Sequence, residues 1–509
     1  MRRVTRSLAL TRSPPLIRPL AAERGVGQTN TTSATGNDMR VQSTGALHGC
    51  RALIVAASVS TMIALGAARG QEPSQLVPKV SKQGPSLRFD FPEMRVGIAE
   101  YDEGPTGTTV FYFPNGVKGA VDVRGGAPGT VNATILMNSY ERKMVRAVVF
   151  SGGSWYGLSA ATGVANAIKD LKAEEGQVDL VAGVVGAIIY DVGGRRYSRI
   201  TPDDRLGKAA LQSAATGTFP LGARGAGRFA MQGFYYLSGE GADKYADWSH
   251  SGQGAAFRTI GPTKIGVFTV VNALGTIVDR NGRIVRCKRN SDTTECSSIT
   301  DKLKGFAPIG GNAESKTGGP TGNTTLTLVV TNQKMPFSAL QRLAVQVHGS
   351  MNRAIQPFAT EEDGDVLYAV TTDEVENASL SNVDLGVLAS ELAWDAILSS
   401  IPEIPAAPIP LQAQPNVGTL SKYSGTYEFY GGTELTVTAE AGVLNAVLKG
   451  NGRIYFDKDR KYRLTAAQDG LFIIEAPARD VVGFEESGGR VTGLTLNPGS
   501  WPIHAKVRR

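Results

Sequence analysis

Apolar runs of strand length recur between Gly84 and about Ile401, and helical stripes separate some of them. Most of these runs lack polar alternation, which is typical of strands that are covered on both faces. The strand candidates are Val145–Ser151, Val181–Asp191, Lys264–Val271, Thr325–Thr331 and Val366–Thr372. Strands and helices mixed in this way predict an α/β domain, a layered sandwich with its helices outside the sheets.

Two helices are well marked within this domain. One follows Gly157, where Leu158, Ala161, Ala165 and Ile168 fall on one stripe. The other is predicted to open at Ser338, because Gln341 three residues later completes a capping box. Its apolar stripe consists of Leu340, Leu343, Val347 and Met351.

The pattern changes after residue 401. Ile401–Pro415 carries five prolines in fifteen residues, which predicts a stiff, extended linker over 402–417. Short alternating runs separated by Gly, Asn and Asp turns then fill 418–509. They predict a small all-β domain, most simply a barrel.

The first 70 residues have the features of an export leader. Ala52–Ala68 is an apolar stretch preceded by Arg51, and Ala68-Arg69-Gly70 is a small-x-small cleavage site. Met39 would give a shorter basic region as the true start. We therefore expect export to the periplasm or beyond, with residues 71–401 as the first mature domain. An uncleaved membrane anchor is the alternative, because 17 apolar residues can just span a bilayer.

The distribution of charge and of cysteine residues indicates which partners and cofactors to expect. Residues 1–70 hold nine arginines and two acids, which accounts for the whole formal charge of +7. The body is neutral, so a nucleic-acid partner is not expected. Cys287 and Cys296 remain after leader removal and flank a polar loop, where an oxidising compartment would let them pair. No ligand set has zinc spacing, so no metal or other cofactor is predicted.

A histidine-based triad is poorly supported. Of four histidines, only His250 and His348 lie away from the leader and the chain end. Ser154 in SGGSWYG misses the G-x-S-x-G pattern, because Tyr156 takes the position of the last glycine. His348 lies beside the apolar stripe of its helix, which favours a packed, hydrogen-bonded side chain.

Another nucleophile is available at the sequence GNTTLTLVV, where a small-residue loop enters a strand. If the Thr324 hydroxyl attacked the Asn323 carbonyl, hydrolysis of the resulting ester would leave Thr324 as a new N-terminus. Its α-amine, with an ordinary pKa of about 7.7–8.0, could then act as the base for its own hydroxyl. From the residues alone, an ordinary loop turn remains the alternative.

Several stretches together resemble one family, which includes the self-processing L-aminopeptidase/D-esterase, the β-peptidyl aminopeptidases and the nylon-oligomer (6-aminohexanoate oligomer) endo-hydrolases. They are Leu87–Gly116, Ala120–Thr130 (AVDVRGGAPGT), Val148–Val164, Gly322–Asn332 and Ala354–Glu374. The resemblance implies an αββα sandwich of the N-terminal-nucleophile type. It also implies a precursor that cuts itself between Asn323 and Thr324, with Thr325 as the alternative nucleophile.

The resemblance assigns roles to other positions. Asp363 and Asp365 would be an acidic pair that holds the new ammonium group. Asn272 would donate a hydrogen bond to the oxyanion, and Tyr156 would line the pocket. Backbone N–H groups at Gly152 and Gly153 are further candidate donors.

One position departs from the nylon-oligomer branch, where a lysine follows Pro-Asp. Here the stretch reads Pro202-Asp203-Asp204, with Arg205 and Lys208 as nearby cations. The substitution could alter self-processing or the choice of substrate.

The sequence therefore predicts an exported, autoproteolytic amide hydrolase acting on peptides or linear oligoamides. Its expected partners are its substrate, the two chains of its own precursor and further copies of itself, a tetramer by family. The alternatives are an aminopeptidase on short or β-linked peptides, a non-catalytic peptide-binding relative, and an envelope- or carbohydrate-binding protein led by the tail.

Overall fold

A computed structural model describes residues 76–81, 83–192, 199–233, 235, 249–286, 296, 298–300, 323–401, 413, 417–429, 433–449, 459–474, 481–497 and 502–508. The predicted leader, and most of the predicted linker, therefore lie outside the described residues. Among the helices that are described, none is both long and apolar enough to cross a membrane.

The first domain is built mainly from strands. In chain order they are β1 (Ser86–Arg88), β2 (Arg95–Tyr101), β3 (Thr106–Val123), β4 (Thr130–Val131), β5 (Val145–Ser151), β6 (Gly183–Ile188), β7 (Thr218–Pro220), β8 (Met231–Gln232), β9 (Ser249–His250), β10 (Gln253–Ile260), β11 (Thr263–Asn272), β12 (Thr276–Ile277), β13 (Thr324–Gln333), β14 (Ile355–Gln356) and β15 (Val366–Val375). Its α-helices are α1 (Ser159–Glu174), α2 (Asp204–Gln212), α3 (Phe337–Ser350) and α4 (Asn382–Ser399).

The long strand β3 links two sheets. Its first half pairs with β2 and β5, and β5 continues into β6 and β4. Its second half pairs with β15, from which the order continues through β13 and β11 to β10. The pair β13–β15 is parallel, whereas β11–β13 is antiparallel. The two halves of β3 therefore belong to two facing sheets.

Three apolar clusters define four layers. One lies between the sheets and joins Phe111 and Phe150 to Leu328 and Tyr368. A second packs α3 and α4 on the outer face of the β11–β13–β15 sheet, and a third packs α1 and α2 on the outer face of the other. Neighbours along a strand alternate between clusters, which explains why the strands read as continuous apolar runs. The prediction of an αββα sandwich is confirmed.

The five predicted strands all form, as β5, β6, β11, β13 and β15, with boundaries that move by a few residues. The predicted start of the second helix is wrong. The helix α3 begins at Phe337 after Pro336, and no side chain caps it. Pro336 holds the N-cap position with a non-helical ψ of 157°, so Ser338 lies inside the first turn and its capping box is not used.

The tail forms a closed barrel of eight strands, as the sequence predicted. They are β16 (Gly425–Phe429), β17 (Thr433–Glu440), β18 (Val443–Lys449), β19 (Lys461–Ala466), β20 (Phe472–Ile474), β21 (Val481–Ser487), β22 (Arg490–Leu496) and β23 (Ile503–Val507). Two residues of the first domain, Phe229 and Met231, belong to the same buried apolar cluster as the inward-facing side chains of this barrel.

Candidate active site

The Asn323–Thr324 peptide bond lies at the buried start of β13. The Thr324 hydroxyl donates a hydrogen bond to the Asn323 carbonyl oxygen over 2.6 Å. The same oxygen accepts the N–H of Gly364, also at 2.6 Å, while the Asn323 N–H donates to Glu362 O. Asn323 and Thr324 are only 7% and 2% exposed. A hydroxyl and a backbone donor thus converge on one carbonyl that water hardly reaches.

The acidic pair lies in the loop just before β15. The two oxygens of Asp365 accept the N–H groups of Thr325 and Ala359. Asp363 accepts the N–H and hydroxyl of Thr360 through one oxygen, and the N–H of Leu274 through the other. Both acids are 1% exposed. Hydrogen bonds on every oxygen fix these carboxyl groups beside the start of β13.

Gly364, between the two acids, is a residue that sequence reasoning passed over. A Cβ atom there would lie 2.5 Å from the Thr324 hydroxyl oxygen and 2.8 Å from the Ala127 carbonyl oxygen. Distances this short are steric clashes, so only glycine lets its N–H approach the Asn323 carbonyl. The sequence signal was the single glycine within EEDGDV.

The glycine-containing stretch RGGAPG (124–129) forms backbone hydrogen bonds with the loop that carries Asp363 and Asp365. Arg124 and Gly125 both donate their N–H groups to Asp365 O, and Ala127 donates its N–H to Asp363 O at 2.8 Å. A Cβ atom on Gly125 would come within 2.3 Å of the Asp363 carbonyl oxygen. The RGGAPG stretch that helped to define the family resemblance therefore positions the acidic pair.

Asn272 ends β11 directly opposite Thr324 in the antiparallel register, so the two residues are brought together as the sequence analysis required. Its side-chain oxygen accepts the Met231 N–H, and its amide nitrogen donates to Tyr190 O, each at 3.0 Å. A primary amide carries two N–H donors, so this arrangement leaves the second N–H for another acceptor.

The other predicted donors are engaged elsewhere. Gly152 donates its N–H to Gly107 O at 3.0 Å, and Gly153 donates to a carboxylate oxygen of Asp191 at 2.8 Å. In this arrangement both amides, predicted from the sequence as candidate oxyanion donors, are hydrogen-bonded within the protein. Tyr156 lies in the 3-10 helix Ser154–Leu158 and is 74% exposed, so it faces solvent.

The residues that replace the expected lysine are also engaged locally. Asp204 is the first residue of α2, after the N-cap residue Asp203. Arg205 forms an ion pair with Asp203 at 2.9 Å, and Lys208 lies 3.7 Å from Asp170.

His348 is fully buried and pairs through Nδ1 with Asp122 at 2.9 Å, which confirms the prediction of a packed, hydrogen-bonded histidine. Burial lowers its pKa. Cys296 is held in a disulfide, while Cys287, its predicted partner, lies outside the described residues. Over the ranges that the structure describes, no group of three or more His, Cys, Asp or Glu is arranged to hold a metal.

Burial dominates the electrostatics of the acidic pair. Desolvation raises the pKa of Asp363. Desolvation also raises the pKa of Asp365 well above its ordinary value, and the neighbouring Asp363 charge raises it as well. Both oxygens of Asp365 nevertheless accept N–H groups, an arrangement that suits the ionised form. The site therefore holds a carboxylate pair that would be stabilised by a nearby positive charge.

This electrostatic penalty predicts a pH-dependent stability. When a group's pKa is higher in the folded state than in the unfolded state, the folded state binds the proton more tightly. The group therefore stabilises the fold fully at pH values below its unfolded pKa, about 4 for aspartate. This contribution is lost as the pH rises through the folded pKa. The Thr324→Ala chain should therefore become less stable across that range. Urea unfolding at a series of pH values would measure this slope.

The double variant Thr324→Ala/Asp365→Asn is the matched control for that measurement. It should show a shallower slope, because Asp363 is then the remaining member of the pair. Equal slopes in the two chains would contradict a raised pKa at Asp365.

Comparison with known proteins identifies the family. The model of peptidase family S58 matches residues 89–404. A 6-aminohexanoate-oligomer endohydrolase from Paenarthrobacter ureafaciens is 39% identical over 350 residues, which cover 65% of this chain and 90% of that protein. An uncharacterised aminopeptidase from Mycobacterium leprae is 34% identical over 300 residues, 55% of this chain and 75% of that protein.

Solved structures align over the same share of the chain. The L-aminopeptidase D-Ala-esterase/amidase from Ochrobactrum anthropi, whose structure is described as a variant of the Ntn hydrolase fold, has a TM-score of 0.43 and 16% identity. The alignment covers 64% of this chain and 91% of that one. Because the family model matches more than half of the chain, this protein belongs to peptidase family S58 and is a hydrolase of amide bonds.

Proposed function

We propose that this amide hydrolase cuts its own chain before Thr324 and then uses Thr324 as an N-terminal nucleophile. The observation that carries the proposal is the contact of the Thr324 hydroxyl with the Asn323 carbonyl oxygen at 2.6 Å. The alternative nucleophile, Thr325, is less well placed, because successive side chains of a strand point to opposite faces.

In the self-cleavage step, the Thr324 oxygen attacks the Asn323 carbonyl carbon and forms a C–O bond. Negative charge develops on the Asn323 oxygen, where the Gly364 N–H already lies at hydrogen-bond distance. Such a preorganised donor stabilises a tetrahedral intermediate. The C–N bond then breaks, and the departing nitrogen takes up the hydroxyl proton. Water hydrolyses the ester, which leaves a carboxylate on Asn323 and a free amine on Thr324.

In turnover, the new α-amine takes the proton of the Thr324 hydroxyl as that oxygen attacks a substrate amide. The protonated amine gives the proton to the leaving nitrogen, and water releases the acyl group. The second N–H of Asn272 is the proposed donor to the substrate oxyanion, because Asn272 lies opposite Thr324. Asp363 and Asp365 would orient the protonated amine, and its charge would offset the burial that raises their pKa values.

We propose peptides or linear oligoamides as substrates, since the 39% identical relative is named a 6-aminohexanoate-oligomer endohydrolase. The 34% identical mycobacterial protein is named an aminopeptidase, which keeps exo-cleavage as the second candidate. Blocking the substrate's amine separates the two, because an aminopeptidase needs that group free and an endo-hydrolase does not. The assembly of further copies into a homo-oligomer remains an expectation from the family resemblance.

Export completes the proposal. The apolar stretch Ala52–Ala68 and the small residues after it support removal of a leader before Gln71. Mass-spectrometric determination of the mature N-termini from the native cell would test this together with self-cleavage, with Gln71 and Thr324 as the expected results.

Thr324→Ala should leave a single uncut chain with no measurable hydrolysis of 6-aminohexanoate oligomers. The variant lacks the oxygen that attacks Asn323 in self-cleavage and the substrate amide in turnover. Thr324→Ser keeps a hydroxyl and should still mature into two fragments. Denaturing gels, intact mass and product release measure the outcome. If Thr324→Ala is cut and active while Thr325→Ala is neither, the nucleophile is Thr325.

Gly364→Ala should block or strongly slow self-cleavage, because the new Cβ would lie 2.5 Å from the Thr324 hydroxyl oxygen. Gly349→Ala is the matched control, since a Cβ there would meet its nearest atom from another segment, on Arg124, only at 3.9 Å. A time course of precursor processing distinguishes the two variants. Normal processing of Gly364→Ala would show that the close approach at Gly364 is dispensable.

A further inference from the structure

Asp191 is a buried carboxylate that was not predicted as a site residue, and it accepts a hydrogen bond from the loop that carries Gly152 and Gly153. Asp191 follows β6 and is 2% exposed. One of its oxygens accepts the Thr106 hydroxyl at 2.9 Å, and the other accepts the Gly153 N–H at 2.8 Å. Neither the sequence motifs nor the proposed chemistry assigns Asp191 a role.

The turn that Asp191 holds is conformationally demanding. Gly153 and Ser154 both have left-handed backbones, with φ of 83° and 55°. Such a conformation in a residue with a side chain costs energy and persists only when its surroundings impose it. A Cβ atom on Gly152 would lie 2.5 Å from the Asp191 carboxylate oxygen, so this carboxylate packs directly against the turn. The 3-10 helix that carries Tyr156 begins at Ser154, within this turn.

The preceding residue reaches a second part of the site. The Tyr190 carbonyl accepts the Asn272 side-chain N–H at 3.0 Å. Two adjacent residues, Tyr190 and Asp191, therefore contact both the turn before Tyr156 and the amide opposite Thr324. A shift of this segment would displace both groups together.

We propose that Asp191 is a positioning residue for the hydrolytic reaction, which it serves by fixing the Gly152–Tyr156 turn and the carbonyl that orients Asn272. This inference rests on the proposed function of the site. It does not depend on which threonine is the nucleophile, because Asn272 is the proposed oxyanion donor in either case.

Asp191→Ala removes the acceptors of the Thr106 hydroxyl and the Gly153 N–H. It should lower kcat by at least about tenfold, because small displacements of positioned groups are costly to catalysis. KM should change less than kcat. Asp191→Asn is the conservative variant, since its carbonyl oxygen can still accept the Gly153 N–H while its NH₂ donates to Thr106. It should therefore retain most of the wild-type kcat.

Rates in this test are measured on fully matured, folded protein, with active sites counted by titration. A wild-type kcat in Asp191→Ala, or an equal loss in Asp191→Asn and Asp191→Ala, would overturn the positioning role. Failure of the proposed function gives a different result, in which Thr324→Ala and Thr325→Ala both retain hydrolysis whatever the outcome at position 191.

A different observation concerns the barrel. Phe229 and Met231 are 3% and 8% exposed and belong to the barrel's apolar cluster, together with residues such as Tyr427 and Leu435. The backbone N–H of Met231 donates to the Asn272 side-chain oxygen at 3.0 Å. The segment that packs with the barrel is therefore one hydrogen bond away from the proposed oxyanion donor.

We infer that the barrel braces the active site through the Phe229–Met231 segment. The matched region of the family ends at residue 404, before the barrel begins, so the barrel is an addition to the catalytic domain. Its packing would hold Met231 in place, and Met231 with Tyr190 fixes the Asn272 amide from two sides.

A specific protease site inserted within residues 402–412 of the full chain allows the barrel to be severed after folding. We expect the cut barrel to stay bound in gel filtration and kcat to remain unchanged. Phe229→Asp should release it and lower kcat, and Phe229→Ala should do so in part. Val178→Asp, at a position that is 78% exposed, is the control for the added charge.

Separation of the cut barrel from the otherwise unaltered protein would overturn the brace. So would its release by Phe229→Asp with kcat unchanged. Loss of folding in Phe229→Asp would be visible by circular dichroism, in which case Phe229→Ala decides between the two outcomes.

Discussion

The Asn323 carbonyl is held between a side-chain hydroxyl and a backbone N–H, and much of the surrounding structure serves that contact. The strands β13 and β15 run parallel from the same edge of their sheet, so the residues just before them lie side by side. Asn323 and Asp363 form a parallel bridge there, which brings the Gly364 N–H to the Asn323 oxygen. Parallel neighbours of this kind require a crossover connection, here supplied by α3, and a buried sheet to support them. The αββα layers provide both.

Close backbone approach is the second requirement. The Thr324 hydroxyl, the acidic loop and the RGGAPG segment pack so tightly that Gly125 and Gly364 have no room for a Cβ atom. Because the backbone itself makes the contacts, few charged side chains are needed to place the loop. The two buried ones, Asp363 and Asp365, use their oxygens on backbone N–H groups, which fixes their side chains. This rigidity suits a reaction in which one peptide bond must be distinguished from all others in the chain.

The sequence predicted the main strands because both faces of each are buried, so their apolar runs are long and unmistakable. Family motifs then identified Thr324, Asn272 and the acidic pair as neighbours. Contacts between distant segments were not predictable in the same way. The hydrogen bond from Gly153 to Asp191 joins two loops whose sequences carry no periodic signal, and it engages an N–H that the motif alone had suggested as an oxyanion donor. The start of α3 was mispredicted because the sequence of Ser338 and Gln341 matches a capping box, whereas Pro336 takes the N-cap position in the structure.

Self-cleavage would change the charge of this site without adding any external group. In the intact chain, Asp363 and Asp365 are buried near a neutral peptide bond, and burial raises the pKa of both. Breaking the bond before Thr324 would place an ammonium group within the same pocket, and an opposite charge favours the ionised carboxylates. The acids would thus be destabilised in the precursor and stabilised in the product, which makes the cut state electrostatically preferred. On this scheme the same pair that disfavours the uncut fold also retains the catalytic amine once it exists, so one arrangement of carboxylates can serve maturation and turnover in sequence.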